Sequence, residues 1–211
     1  MNLSQIKAVV FDCDGVMFDT AQANRKFYDL VLDHFNKPPL TDSQFVQVHM
    51  MTVADAISYL FPGVTDHGPV FRCVKQIGAH NFIQYMEMAD GLVDLLHILG
   101  SCGYIRAIAT NRTDTMPKVL SDFHLTDQFD MVVTAADVTN PKPHPEQLEK
   151  IMARFSCYPD QVLFIGDSMY DQQAARAAGT VFAAFRQPQL DADLHAQAMA
   201  DIASALGITD K

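Results

Sequence analysis

Positive charge is what this chain has least of: 15 lysines and arginines stand against 25 aspartates and glutamates, for a formal net charge of −10. A surface of that sign repels the phosphates of nucleic acids, so no nucleic-acid partner is expected. An anionic substrate would need local positive charge from a metal and a few chosen basic side chains. Cysteine is sparse and scattered. Cys13, Cys73, Cys102 and Cys157 lie far apart with no CxxC pair, which argues against a zinc site or a disulfide framework and fits reduced thiols in a cytoplasmic protein. Long apolar runs are missing too. The stretch MNLSQIKAVVFDCD has only a brief one, cut short by acids, so neither a signal peptide nor a membrane-spanning segment is expected. Internal repeats and low-complexity tracts are absent apart from an alanine-rich end, and no feature sets an oligomeric state. What remains is an ordinary globular composition, 49% hydrophobic and 19% charged over 211 residues. That length suits one fair-sized domain, or a core with a smaller insert.

The informative stretch runs from Ala8 to Thr20, AVVFDCDGVMFDT. Ala8, Val9, Val10 and Phe11 form a short apolar, β-branched run that reads as a buried strand of a parallel sheet. Asp12 and Asp14 follow at i and i+2, positions that share a face wherever the chain stays extended. Gly15 then permits a sharp turn. Two carboxylates about 4 Å apart repel by about 4 kcal/mol at an effective dielectric near 20, so a cation is expected between them.

Beyond this stretch, apolar spacing predicts a helix over 21–35, ended by Pro38 and Pro39, and further helices over 43–51, 53–61 and 70–88. No convincing strand lies between Thr20 and Met88, so this interval reads as an all-helical insert. From Gly91 strands and helices alternate, the mark of a doubly wound α/β sheet. Strands are predicted over 105–109, 131–134, 162–165 and 181–185. The intervening helices fall over 92–99, 116–123, 146–155 and 172–178, with a terminal helix over 190–206. The fold class is therefore α/β: a Rossmann-like doubly wound parallel sheet carrying an inserted all-helical cap. The core comprises residues 1–16 and 91–211, the cap residues 17–90, with hinges near 15–20 and 89–91.

The polar residues gather at the C-terminal ends of successive strands, the edge at which open parallel sheets bind ligands. Asp12 is the candidate nucleophile, since a carboxylate can attack phosphorus and split hydrolysis into two easier steps. Asp14, slightly further out, is the candidate general acid and base; that role calls for a raised pKa, which a neighbouring negative charge would produce. Asp167, in GDSMYD, completes a hard oxygen site for Mg²⁺ with Asp12 and a backbone carbonyl, that of Asp14 being the best placed. Asp171 could hold a metal-bound water or orient Lys142. The Thr110 hydroxyl, the Asn111 backbone N–H and the Lys142 ammonium suit phosphoryl oxygens. Arg112 stands beside that phosphate site. Cys13 is expected to offer its N–H and Ser168 to be structural, while His144 suits a turn. The basic cap residues Arg25, Lys26, Arg72 and Lys75 could meet a second anionic group, but solvated helix faces are the simpler reading.

FDCDGV, IATN with Thr110, NPKP with Lys142, and GDSMYD together resemble the four motifs of the haloacid dehalogenase superfamily, in order and over essentially the whole chain. Within it the chain is similar to phosphoglycolate phosphatases and to β-phosphoglucomutases, with a helical cap. The resemblance implies Mg²⁺-dependent hydrolysis of a small phosphorylated metabolite through a phospho-aspartyl intermediate on Asp12, with Asp14 as acid and base. It also implies phosphate binding by Thr110 and Lys142 and metal ligation by Asp12, Asp14 and Asp167. Val16 departs from the threonine that usually follows DG in the phosphatases, and many mutases share that departure, so a β-phosphoglucomutase-like phosphotransferase is the alternative. Against it, the stretch after Asp19 has no histidine of the kind mutases carry. Asp14 argues against the metal-free dehalogenases, and the intact Asp12 and Asp14 argue against a non-catalytic phosphate-binding protein.

Overall fold

The computed structural model describes residues 3–208. The chain forms strand β1 (Ala8–Phe11), a two-residue strand β2 (Phe18–Asp19), helices α1 (Ala21–His34), α2 (Asp42–Val48), α3 (Val53–Leu60) and α4 (Gly68–Ile77), and strand β3 (Glu87–Met88). It then alternates through α5 (Leu92–Ser101), β4 (Ile105–Ala109), α6 (Met116–Asp122), β5 (Met131–Val133), α7 (Glu146–Phe155), β6 (Val162–Gly166), α8 (Met169–Ala178) and β7 (Val181–Phe185). It ends with β8 (Leu194–Ala196) and α9 (Met199–Ala205).

Six strands form one parallel sheet in the order β5-β4-β1-β6-β7-β8. β1 sits inside it, with Ala8 level with both Ile105 and Val162. All four of its residues are buried because helices cover both faces. Val9 and Phe11 pack with Ile108, Leu96 and Ile202 on one side. Ala8 and Val10 pack with Phe164, Leu148 and Ala174 on the other. That two-sided burial is why the strand reads as a continuous apolar run instead of an alternating one. The chain builds outward from β1 to β4 and β5, then crosses to β6, so the order reverses at the strand that carries Asp12.

Residues between β2 and β3 make a helical insert with its own apolar cluster, in which Phe27, Val31 and Leu32 meet Ile57, Leu60 and Val70. Burial at α1 positions 27, 28, 31 and 32 is the stripe that helical spacing places on one face. Thr41 and Gln44 close a capping box on α2, and Thr52 caps α3.

Two expected elements differ. The helix expected over 70–88 stops at Gly78, whose φ of 70° takes the left-handed conformation a helix cannot continue through. A 3₁₀ segment, Ala79–Tyr85, follows, and then β3, which pairs antiparallel with β2 at the root of the insert. The terminal helix expected over 190–206 divides into β8 and α9. Pairing of Leu194–Ala196 with Ala183–Phe185 satisfies the outer backbone groups of β7, and that outweighs the helix propensity of the alanines. Among the described residues no helix is long and apolar enough to cross a membrane.

Candidate active site

Asp12 leaves the end of β1 with its N–H donating to the Ile165 carbonyl at 2.9 Å, so the strand pairing that builds the sheet also aims this residue over its edge. Its Oδ1 accepts the Cys13 N–H at 2.7 Å and lies 2.8 Å from Lys142 Nζ. Lys142, 4% exposed, spends its ammonium on three oxygens: this one, Asp171 Oδ1 at 2.7 Å, and the Ala109 carbonyl at 2.9 Å. Burial opposes the charge of Lys142, but Asp12 and Asp171 outweigh it and hold the ammonium above its ordinary range.

The loop that carries Lys142 is fixed from two sides. The Asn111 side chain accepts the Lys142 N–H at 3.1 Å and donates to the Lys142 carbonyl at 3.0 Å. Glu146 accepts the N–H groups of Thr139 and Asn140, both at 2.9 Å. His144 has the turn role expected of it, its Nδ1 accepting the Glu146 N–H at 3.2 Å. Thr110 is buried, its hydroxyl accepting the Arg112 N–H at 3.2 Å and its carbonyl accepting from Gln147 at 2.7 Å.

Asp171 is wholly buried and orients Lys142. Its other oxygen accepts the Asp167 N–H, the Ser168 N–H and the Ser168 hydroxyl, and Ser168 in turn accepts the Asp171 N–H, a reciprocal cap that starts α8. Carboxylate oxygens of Asp12, Asp167 and Asp171 all lie within 4.8 Å of one another. With Lys142 as the cation among them, this cluster holds excess negative charge. Burial first, and then Asp171, push Asp12 up to about 7, and the same two causes push Asp167 well above the carboxylate range. Hard oxygen donors in surplus, at sites where the anion is disfavoured unless a cation arrives, are the donor set a divalent ion such as Mg²⁺ takes. Gly15 clears the space: its φ is 78°, and a Cβ there would stand 1.9 Å from Asp167 Oδ2.

Asp14 differs from expectation in two respects. Its carboxylate turns away from the acidic cluster into Arg112, accepting from Nε at 2.8 Å and from Nη2 at 2.7 Å, which leaves its main-chain carbonyl as the atom it could lend to a metal. Its pKa is lowered, not raised: burial works upward, but the Arg112 guanidinium dominates and holds the carboxyl below its usual range. The raised carboxyls are Asp12 and Asp167, which lack a partner of that kind.

A cavity of about 90 Å³ opens beside Asp12, Asp14, Thr110 and Arg112 and is roofed by the helical insert. Sequence reasoning missed the roof. Phe27, Met51 and Phe82 supply apolar wall, Tyr28 and His49 a polar fringe, and Asn24 Nδ2 lies 3.0 Å from His49 Nδ1. Asn111 Nδ2 also reaches the Met50 carbonyl, at 3.3 Å. The basic residues singled out beforehand face elsewhere: Arg25 pairs with Asp42 at 2.8 Å and Lys26 lies over the Tyr85 ring.

The model of the haloacid dehalogenase-like hydrolase family matches residues 9–185. The chain belongs to that family. A pyrophosphatase PpaX of Bacillus pumilus is 26% identical over 181 residues, 85% of this chain and 83% of that protein. A phosphoglycolate phosphatase of Salmonella choleraesuis is 28% identical over 202 residues, 84% of this chain and 80% of that protein. Among solved structures, a subfamily IA, variant 1 hydrolase of the superfamily from Geobacter sulfurreducens superposes with a TM-score of 0.77 at 36% identity, covering 96% of this chain and 97% of its own.

Proposed function

We propose that this hydrolase is a Mg²⁺-dependent phosphatase that releases inorganic phosphate from a small phosphomonoester metabolite, with Asp12 as nucleophile and Asp14 as general acid and base. The observation that carries the reading is Asp12 itself: buried beside the cavity, tied to Lys142 at 2.8 Å, and crowded by two further carboxylates. Asp12 and Asp167, with the Asp14 carbonyl, would hold the metal, which when bound supplies the positive charge that lets a carboxylate approach a phosphate dianion. Lys142 and the Thr110 hydroxyl hold phosphoryl oxygens, and the Asn111 side chain keeps the Lys142 loop in register.

In the first half-reaction an Asp12 oxygen bonds to phosphorus as the ester P–O bond breaks, and Asp14 gives a proton to the departing oxygen. In the second, water attacks phosphorus, Asp14 takes the proton, and the Asp12–phosphorus bond breaks to free phosphate and restore the carboxylate. The Arg112 fork keeps Asp14 ionised in the free enzyme, ready as the base, and the substrate's own negative charge favours the proton it needs as the acid. Residues 17–90 act as a cap on a core of residues 1–16 and 91–211, and the two-residue ribbon of β2 and β3 is its root. The unpaired cysteines fit a cytoplasmic setting.

Purified protein is expected to release phosphate from p-nitrophenyl phosphate with Mg²⁺ and to stop in EDTA. Metal-independent release contradicts the reading. Isomerisation of a sugar phosphate with no net phosphate release would favour the phosphotransferase instead.

A further inference from the structure

We propose that the substrate is the phosphate ester of a small uncharged alcohol, and that the cavity rejects leaving groups bearing a carboxylate or a second phosphate. This deepens the phosphatase reading and rests on it. The ground is the charge of the cavity wall. Among the described residues lining it, Arg112 is the one lysine or arginine, against the carboxylates of Asp12, Asp14 and Asp114. Arg112 is already committed: two of its nitrogens donate to Asp14, and Nη1 lies 3.3 Å from the Thr115 hydroxyl. Burial lowers the pKa of His49, the other basic side chain in the wall, and so works against a charge there, and its Nδ1 is already engaged by Asn24 Nδ2 at 3.0 Å. Lys142 does not line the cavity; it is held by Asp12, Asp171 and a carbonyl, and its charge serves the phosphoryl group being transferred, which leaves none for a second anion.

The cap offers no substitute. Arg25 is bound to Asp42 and lies over Phe45, Lys26 lies over Tyr85, and Arg72 and Lys75 are exposed outside the cavity. What the cap does turn inward is Phe27, Met51 and Phe82, with the hydrogen-bonded pair Asn24 and His49 as a polar point at 3.0 Å. Such a wall suits a short carbon chain with a hydroxyl. A carboxylate there would lose its water, face like charges and find no uncommitted cationic side chain among the described residues. The names of two relatives, a phosphoglycolate phosphatase and a pyrophosphatase, specify substrates of the kind this cavity disfavours. The same deficit works against a mutase, which must grip a bisphosphate at both ends.

The test uses paired phosphate compounds at saturating Mg²⁺: 2-hydroxyethyl phosphate against phosphoglycolate, and propyl phosphate against pyrophosphate. In each pair the member with the uncharged leaving group is expected to have the higher kcat/KM, by about tenfold or more, since like-charge juxtaposition costs that much or above. Asn24→Lys and, independently of that hydrogen bond, Val53→Lys place an ammonium in the wall. At least one is expected to raise kcat/KM for phosphoglycolate relative to 2-hydroxyethyl phosphate. Equal or better turnover of phosphoglycolate or pyrophosphate by the unaltered enzyme overturns the inference and leaves the phosphatase reading standing. So does a preference that neither lysine variant moves. Failure to release phosphate from any of the four compounds and from p-nitrophenyl phosphate overturns both.

Discussion

At the scale of single residues, the site is an arrangement of which acid gets which cation. Lys142 takes Asp12 and Asp171, Arg112 takes Asp14, and among the described residues Asp167 has no ion-pair partner. The Arg112–Asp14 pair has a consequence for pH. Its guanidinium depresses the Asp14 carboxyl, so Arg112→Gln lets that pKa rise. If protonated Asp14 is the acid of the first step, kcat/KM falls as pH climbs past this pKa, and the variant's falling limb must lie at higher pH than the wild type's. A pH–rate profile with the limb unmoved contradicts the role of Asp14. The Arg112–Asp14 pair was not legible beforehand. Asp14 and Arg112 are 98 positions apart, and neighbouring residues alone suggested that Asp12 would raise Asp14. By contrast Asp12, Thr110 and Asp167 could be read, because each directly follows a largely buried apolar strand and the parallel sheet carries every such end to one edge, whereas Lys142 comes from the loop beyond β5 and is placed by Asn111.

At the scale of elements, turns and caps decide where the acids point. The DG turn after β1 needs glycine for its positive φ and equally for room, with Asp167 Oδ2 1.9 Å from where a Cβ would sit. Gly15→Ala is expected to displace the Asp167 carboxylate and weaken Mg²⁺ binding by about tenfold or more, while far-ultraviolet circular dichroism stays near wild type. Calorimetric titration showing unchanged affinity contradicts the assignment of Asp167. The Ser168–Asp171 box starts α8 at Met169, ahead of the 172 expected from apolar spacing. The C-terminal region misled because its alanines favour a helix. Only the free edge of β7, a tertiary feature, chooses the strand for Leu194–Ala196. The insert ended differently because Gly78 sits inside a run whose apolar spacing otherwise continues.

At the scale of the whole molecule, a sheet fixed by two cores carries a helical insert with a third, and the cavity lies where they meet. Such an insert can open to admit ester and close to exclude water. Amide exchange over residues 48–53, which contribute His49 and the Met50 carbonyl to the roof, is expected to slow when Mg²⁺ and orthovanadate are added together. Unchanged exchange contradicts closure. In the sequence helical spacing gives way to alternating strands at Gly91, but which residues of the insert face the cavity was not legible, since that depends on how α1 and α2 dock. Everything proposed here comes down to a covalent bond at one carboxylate. The direct measurement is acid quenching of the enzyme during turnover of ³²P-labelled p-nitrophenyl phosphate with Mg²⁺, followed by peptide mapping. The account predicts label on the peptide that contains Asp12 and none in Asp12→Asn, which is also inactive. Label on another peptide, or an Asp12→Asn enzyme that still turns over, would contradict it.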